Sequence, residues 1–322
     1  MRAGVDIGGT KVAACLARPP DGDAPPALLV RLAEPTVTTG EPDALARQVL
    51  RLLDDACARH GLARSDLAAV GVASCGPFVR PGGLAELANP NLCGGLAGAP
   101  RGLGNDWTRV PLEAPLVQAL GAQRVRIAGD AVAALQAERR WGALRGIRDC
   151  AYVTWSTGIG TGLCVDGRVL HGKHGNAGHA GHSFVGEAPG QSGQEGPLCG
   201  CGNRGDVESL VAGSALMRRL GANAPALLRA ADAGDGAALA EVRGLCVLMG
   251  RLLYNLVATL DLRRISLGGA VFLHHQALLL PLLRAELARY FPALTDEVEL
   301  VSTDLGERVG DYAALALLED SF

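Results

Sequence analysis

Asp6-Ile7-Gly8-Gly9-Thr10-Lys11 parts two short apolar runs, Ala3 to Ile7 and Val12 to Ala17, and reads as the tight turn of a β-hairpin. Glycine leaves room for a ligand to approach the main chain, so Gly8, Gly9 and Thr10 can point backbone N–H groups at the oxygens of a phosphate. Asp6 precedes this turn on the first strand, where a carboxylate can hold a magnesium ion directly or through water. Lys11 adds a positive charge. An ordinary hairpin would carry the same glycines, and the hexapeptide alone does not choose between the two readings.

The plan recurs about 150 residues later. Cys150 to Trp155 is a strand, Leu163 to Asp166 is another, and Ser156-Thr157-Gly158-Ile159-Gly160-Thr161-Gly162 lies between them with hydroxyls as further donors. Neither turn is a Walker-type loop, because no Gly-Lys-Ser/Thr opens a helix. If the two halves face each other, the turns grip one nucleotide from two sides. Between and after them strands and helices alternate. Helical spacing predicts a helix over 41–60 and a long one over 237–260. Strands are predicted over 67–73, 124–128 and 264–267, the last running into Gly268-Gly269-Ala270. The stretch 82–105 reads as irregular loop, 111–120 and 131–141 as helices, and 312–318 as a closing helix. This is an α/β chain with a cleft between two similar layers, divided as 1–120, completed by 307–322, and 121–306.

Composition agrees with that reading. At 322 residues the chain is about twice a usual domain, and 48% hydrophobic content with 44 glycines suits a buried α/β protein rich in tight turns. A net charge of −3 and the absence of a Lys/Arg cluster with interleaved aromatics exclude nucleic acid as a main partner. Nine scattered cysteines, an odd number, do not make a secreted disulfide framework, so a reducing cytoplasm is expected. No leader-like segment and no 18-residue apolar run is present, and no membrane partner is expected.

Taken in order, Asp6 to Lys11, Asn89-Pro90-Asn91-Leu92, Gly129-Asp130-Ala131, Ser156 to Gly162, Gly178-His179-Ala180-Gly181-His182, Cys199-Gly200-Cys201-Gly202-Asn203-Arg204-Gly205, Glu208 and Gly268-Gly269 resemble the ROK family of sugar kinases over nearly the whole chain. That family belongs to the sugar kinase, Hsp70 and actin superfamily. The resemblance implies two ribonuclease-H-like (actin-like) α/β domains and ATP-dependent phosphorylation of a hexose or hexose-like acceptor, with a C6-like primary hydroxyl expected as the target. It implies ATP and Mg²⁺ as cofactors, phosphate binding by Asp6, Gly8, Gly9, Thr10, Lys11, Thr157, Gly158 and Gly160, adenosine near Gly268 and Gly269, Asp130 as catalytic base, and a homodimer. Phosphoryl transfer needs the proton of the acceptor hydroxyl removed, and a carboxylate at the end of a strand suits that task. A helix N-cap would put the same Asp130 in the same place.

The resemblance also implies a structural zinc ion. His182, Cys199 and Cys201 are soft or borderline donors. The family's fourth ligand is a cysteine, but this chain has Asp206, whose oxygen can serve; the rival reading is a metal-free loop with free thiols. The Gly/Glu/Gln-rich stretch 186–196 is longer than the usual connection. Candidate acceptor contacts are Asn91, Asp106, His179, His182 and Glu208. Gly129 stands where the family has an asparagine beside the base, and His179 where it has a glutamate, so the acceptor need not be glucose; an amino sugar or C7 cyclitol is the alternative. A transcriptional repressor of the family would carry a helix-turn-helix segment ahead of the core, whereas five residues precede Asp6. An actin- or Hsp70-like ATPase would explain the turns but not the cluster of His182, Cys199, Cys201 and Glu208.

Overall fold

The computed structural model describes all residues except 21, 97, 99, 187–195, 222–223 and 320–322. Most of the 186–196 stretch therefore lies outside the described residues. The chain forms two compact units, one of Met1–Gly142, His171–Ala177 and Arg308–Phe322, the other of Ala143–Leu170 and Gly178–Glu307.

The first unit opens with β1 (Arg2–Ile7), β2 (Lys11–Ala17), β3 (Leu28–Pro35), α1 (Ala44–Ala58) and β4 (Ala69–Ser74). Three two-residue strands, β5 (Phe78–Val79), β6 (Glu86–Leu87) and β7 (Val110–Pro111), make a small separate sheet, so the loop expected over 82–105 is not wholly irregular. Then come α2 (Glu113–Leu120), β8 (Val125–Gly129) and α3 (Asp130–Trp141). The main sheet has the order β3-β2-β1-β4-β8, antiparallel through β1 and parallel from there. The division expected after residue 120 falls instead at Gly142, because β8 pairs with β4 and carries α3 into this unit. Strand β3 escaped the sequence reading, since its outer-edge position leaves Arg31 and Glu34 in an otherwise apolar run without clean alternation.

Alternation along β1 sorts its side chains to two faces. Ala3, Val5 and Ile7 join Leu45, Val49, Leu52 and Leu53 of α1 in one core. Gly4 and Asp6 take the other face, which the closing helix Val309–Ala316 covers: Gly4 lies against Ala314 and Leu315, and Gly310 against Asp6. Small residues let this helix approach the sheet. A side chain on Gly71 of β4 would overlap the Ala314 carbonyl oxygen.

The second unit contains β9 (Cys150–Trp155), β10 (Ile159–Val165), β11 (Arg168–Val169), α4 (Val207–Val211), α5 (Gly213–Leu220), α6 (Ala224–Asp232) and α7 (Gly236–Leu260). It continues with β12 (Arg264–Gly268), α8 (Ala270–His274), α9 (Gln276–Leu287), α10 (Pro292–Thr295) and β13 (Glu299–Ser302). Its sheet, β11-β10-β9-β12-β13, repeats the strand directions of the first. Buried Val242, Leu245, Met249, Leu252 and Leu253 of α7 form the centre of its core with Leu279 and Leu283 of α9. The glycines expected to separate two strands at 158–162 do not all do so: Gly160 and Gly162 pair with Thr154 and Tyr152 inside β10, leaving a short turn at Ser156–Gly158. Gly178 and Gly181 pack on the Thr161 and Ile159 carbonyls of this strand, where a side chain on either would overlap them.

Candidate active site

In the first unit the β1–β2 turn is closed by a bond from the Gly8 N–H to the Lys11 carbonyl at 2.9 Å, and Thr36 Oγ1 donates to the Gly8 carbonyl at 2.8 Å. The amides of Gly9 and Thr10 find no protein acceptor among the described residues. A Cβ on Gly9 would come within 2.7 Å of the Asn91 Cβ, so Asn91 lies directly against the turn. Asn91 is itself held by its N–H on Asn89 Oδ1 at 2.8 Å.

Asp130 is the first residue of α3, immediately after β8, and is solvent-exposed. Its Oδ1 accepts the Ala131 N–H at 2.7 Å. It does not occupy the N-cap, which is Gly129. Nothing comes closer than 3.9 Å to a Cβ built on Gly129, and its φ of −59° is open to any residue, so the missing side chain leaves space beside Asp130 rather than relieving strain. Burial raises the pKa of Asp6 to about 7, assisted by the charges of Asp130 and Asp311 and opposed by Lys11 and Arg31. Asp311 pairs with Arg31 through both carboxylate oxygens, at 2.7 and 2.9 Å. Neither was singled out in sequence: they are separated by most of the chain, and β3 carries Arg31 while the closing helix carries Asp311 to the neighbourhood of Asp6.

Asp6 stands above its unfolded value of 3.8, so the native state takes up its proton more readily than the unfolded chain. This contribution to stability is complete below pH 4 and is lost as pH rises through 7. Asp6→Asn should therefore be more stable than the parent chain, with an advantage that grows between pH 5 and pH 8 by on the order of 2 kcal/mol. Thermal melts at both pH values check this, and an unchanged difference would mean that Asp6 carries no such cost.

In the second unit, the Ser156 N–H bonds the Gly158 carbonyl at 3.0 Å, and the first two amides of α5, Gly213 and Ser214, bond the Ser156 and Thr157 carbonyls at 2.8 and 3.0 Å. The turn is thereby fixed from below, with Thr157 exposed. The amides of Thr157 and Gly158 have no protein acceptor among the described residues. Gly269 has φ +88°, and a Cβ there would press on the Trp155 carbonyl oxygen and Thr154 Oγ1 at 2.5 and 2.6 Å, so Gly268-Gly269 runs tightly over the end of β9.

The remaining candidates gather on the segment 178–182, the loop 197–205 and α4. Thr161 Oγ1 donates to the Gly178 carbonyl at 2.6 Å, anchoring a short turn that presents His179 and His182 with rings stacked at 6.0 Å. The Cys199 N–H bonds the Asn203 carbonyl at 2.8 Å and the Gly202 N–H returns to the Cys199 carbonyl, so Cys199 and Cys201 share a tight knuckle. His182, Cys199, Cys201 and Asp206 each offer a ligand atom within 4.8 Å of the others. Asp206 caps α4 with Oδ1 on the Ser209 N–H at 2.8 Å and turns Oδ2 to His182 Nδ1 at 3.1 Å. Burial opposes its charge, but the bonds from His182, Ser209 and Cys199 outweigh it and bring its pKa to about 2. The same bond raises His182 against the pull of burial, while burial lowers His179, helped by His182. Burial pushes the Cys199 and Cys201 thiols upward. Glu208, on the first turn of α4, accepts the Ile159 N–H at 2.9 Å.

A profile of the ROK family matches residues 2–321. The chain belongs to the ROK family. It is 30% identical over 291 residues to a glucokinase of Aeropyrum pernix, covering 83% of this chain and 84% of that protein. It is 32% identical over 277 residues to an N-acetylmannosamine kinase of Citrobacter koseri, with 83% and 82% covered. Among solved structures, the ROK hexokinase from Thermus thermophilus matches with a TM-score of 0.70 at 31% identity, covering 98% of this chain and 97% of that one. A ROK family glucokinase from Streptomyces griseus, in complex with glucose and AMPPNP, matches with a TM-score of 0.68 at 25% identity over 97% of each chain.

This ROK chain thus carries the two-domain actin-like fold of the ROK sugar kinases. Within the first unit the structure brings Asp6, the Gly8–Lys11 turn and Asn91 together. Asp106 is exposed, and its neighbour Asn105 ties the loop through Nδ2 to the Thr38 and Leu92 carbonyls at 2.8 and 3.0 Å. Within the second unit His179, His182, Cys199, Cys201, Asp206, Glu208 and the Thr157–Gly158 turn adjoin one another. Among the described residues no helix is long and apolar enough to cross a membrane.

Proposed function

We propose that this chain transfers the γ-phosphoryl group of ATP to a hydroxyl of a hexose, amino sugar or similarly hydroxylated ring. The observation that carries this reading is a whole-length ROK match together with an exposed Asp130 at the β8–α3 junction. Asp130 takes the proton of the acceptor hydroxyl, and the open amides of Gly9, Thr10, Thr157 and Gly158 hold phosphate oxygens. Lys11 and the Gly160 strand support these turns, and the adenosine lies near Gly268-Gly269. Mg²⁺ suits Asp6: burial and two neighbouring carboxylates raise the cost of its charge, and a cation would offset that cost.

Asn91, Asp106, His179, His182 and Glu208 contact the acceptor. Open space at Gly129 and an imidazole at His179, lowered toward its neutral form, favour an acceptor other than plain glucose, and the N-acetylmannosamine kinase relatives make an amino sugar the first candidate. Zn²⁺ fits the His182, Cys199, Cys201 and Asp206 donors, which converge within 4.8 Å. It would be structural, holding the 197–205 knuckle to His182.

A coupled assay of ATP consumption over hexoses, amino sugars and C7 cyclitols tests the function. At least one acceptor should raise turnover well above the hydrolysis background. Turnover indifferent to every acceptor would leave an ATPase of the actin or Hsp70 kind. The same preparation, purified without added metal, should hold about one zinc per chain; a value far below that would remove zinc from the proposal.

A further inference from the structure

Glu208 makes two contacts that an acceptor-binding residue does not need. Its Oε2 accepts the Ile159 N–H at 2.9 Å, immediately after the second glycine turn. The same oxygen lies 2.7 Å from where a Cβ on Gly158 would stand, so the absence of a side chain at 158 is what admits the carboxylate. Its Oε1 accepts from Cys199 Sγ at 3.7 Å. Glu208 also stands two residues beyond Asp206, the residue that caps α4 and bonds both His182 and Cys201. One carboxylate on a five-residue helix therefore touches the turn with one oxygen and the cysteine cluster with the other.

We propose that Glu208 is a positioning residue that latches the Ser156–Ile159 turn to the Cys199/Asp206 cluster, so that metal occupancy of the cluster tightens nucleotide binding at the turn. The inference rests on the reading of that turn as a phosphate site. Its physical basis is pre-organisation. A charge-assisted bond to a backbone N–H fixes the turn only as firmly as the carboxylate is fixed, and the carboxylate is carried by α4. The N-terminus of α4 is set by Asp206, and its neighbour Cys199 by the knuckle. Ligation releases the Cys199 proton, so its bond to Oε1 belongs to the metal-free state and the coupling runs through Asp206: an ion on that carboxylate fixes the N-terminus of α4, and with it Glu208, so less order remains to be gained when phosphate binds. By reciprocity, nucleotide should tighten metal binding by the same factor.

The test is titration of AMPPNP with Mg²⁺ by calorimetry, without any acceptor, so that a contact with the acceptor cannot contribute. In the full-length chain, removal of zinc by a chelator should raise the Kd about threefold or more, and restored zinc should return it. Glu208→Ala should raise the Kd of the zinc-loaded protein about fivefold and abolish its response to zinc. Glu208→Gln, whose amide oxygen can still accept the Ile159 N–H, should stay within about twofold of the parent. Hydrogen exchange should show faster loss of the Ile159 amide in the Ala variant and in the zinc-free parent. A parent Kd indifferent to zinc, a zinc response that survives in Glu208→Ala, or equal losses in the Gln and Ala variants would each overturn the latch. If the parent binds AMPPNP in neither zinc state, the phosphate reading of the turn fails, and the latch with it. If it binds without responding to zinc, only the latch fails. The parent's zinc response needs no variant, so misfolding of Glu208→Ala does not protect the proposal.

Discussion

Asp130→Asn is expected to keep AMPPNP binding and the fold while phosphoryl transfer to the acceptor falls by about 100-fold or more, the size of effect that follows loss of a general base. An asparagine retains the side-chain oxygen that accepts the Ala131 N–H, so the start of α3 keeps its bond. It cannot take up a proton from a hydroxyl. It also removes one of the charges that raise the pKa of Asp6, so Mg²⁺-dependent nucleotide affinity should be equal or slightly better. Single-turnover transfer and nucleotide titration on the same preparation separate the two effects. Transfer at the parent rate would mean that the proton leaves by another route.

Gly71→Ala should destabilise the first unit by about 3 kcal/mol, at the upper end of the cost of overpacking. The methyl group would meet a backbone carbonyl, that of Ala314, and a carbonyl in a helix cannot rotate away as a side-chain tip can. The closing helix must move off β4, and with it Gly310 and Asp311 beside Asp6. Trp141 reports on this region, since its ring stands 6.2 Å edge-on from Tyr312 of the same helix. Denaturant unfolding followed by tryptophan fluorescence should show an earlier transition together with weaker nucleotide binding. A parent-like midpoint would mean that this helix contributes little to the sheet.

The two glycine turns, the Asp130 junction and the paired cysteines were legible in sequence because each is local, whereas Glu208 was singled out only through the resemblance to the ROK family. A strand end, a glycine turn and a helix start lie within ten residues of one another, and strand and helix periodicities differ enough to show the change. Helix α7 was legible for the same reason, its apolar stripe being long. Strand β3 was not, because an edge strand with Arg31 and Glu34 lacks the clean alternation that marks a half-buried strand. The place of Gly160 and Gly162 inside β10 was hidden too. Glycine signals a turn when read along the chain, and only the pairing of Gly160 with Thr154 and Gly162 with Tyr152 places these two inside a strand.

By itself, then, the sequence determined that this is an α/β chain with two glycine turns, a candidate base at the end of a strand and a soft-donor cluster. The tertiary structure alone decided where the first unit ends, that Asp311 and Arg31 face Asp6, and that the two oxygens of Glu208 divide between a turn and a cysteine. These are contacts between residues distant in sequence. Sheet pairing of β8 with β4 and packing of small side chains under the closing helix create those of the first unit, and the Asp206-capped start of α4 against β10 creates that of Glu208; none of these leaves a periodicity in the chain.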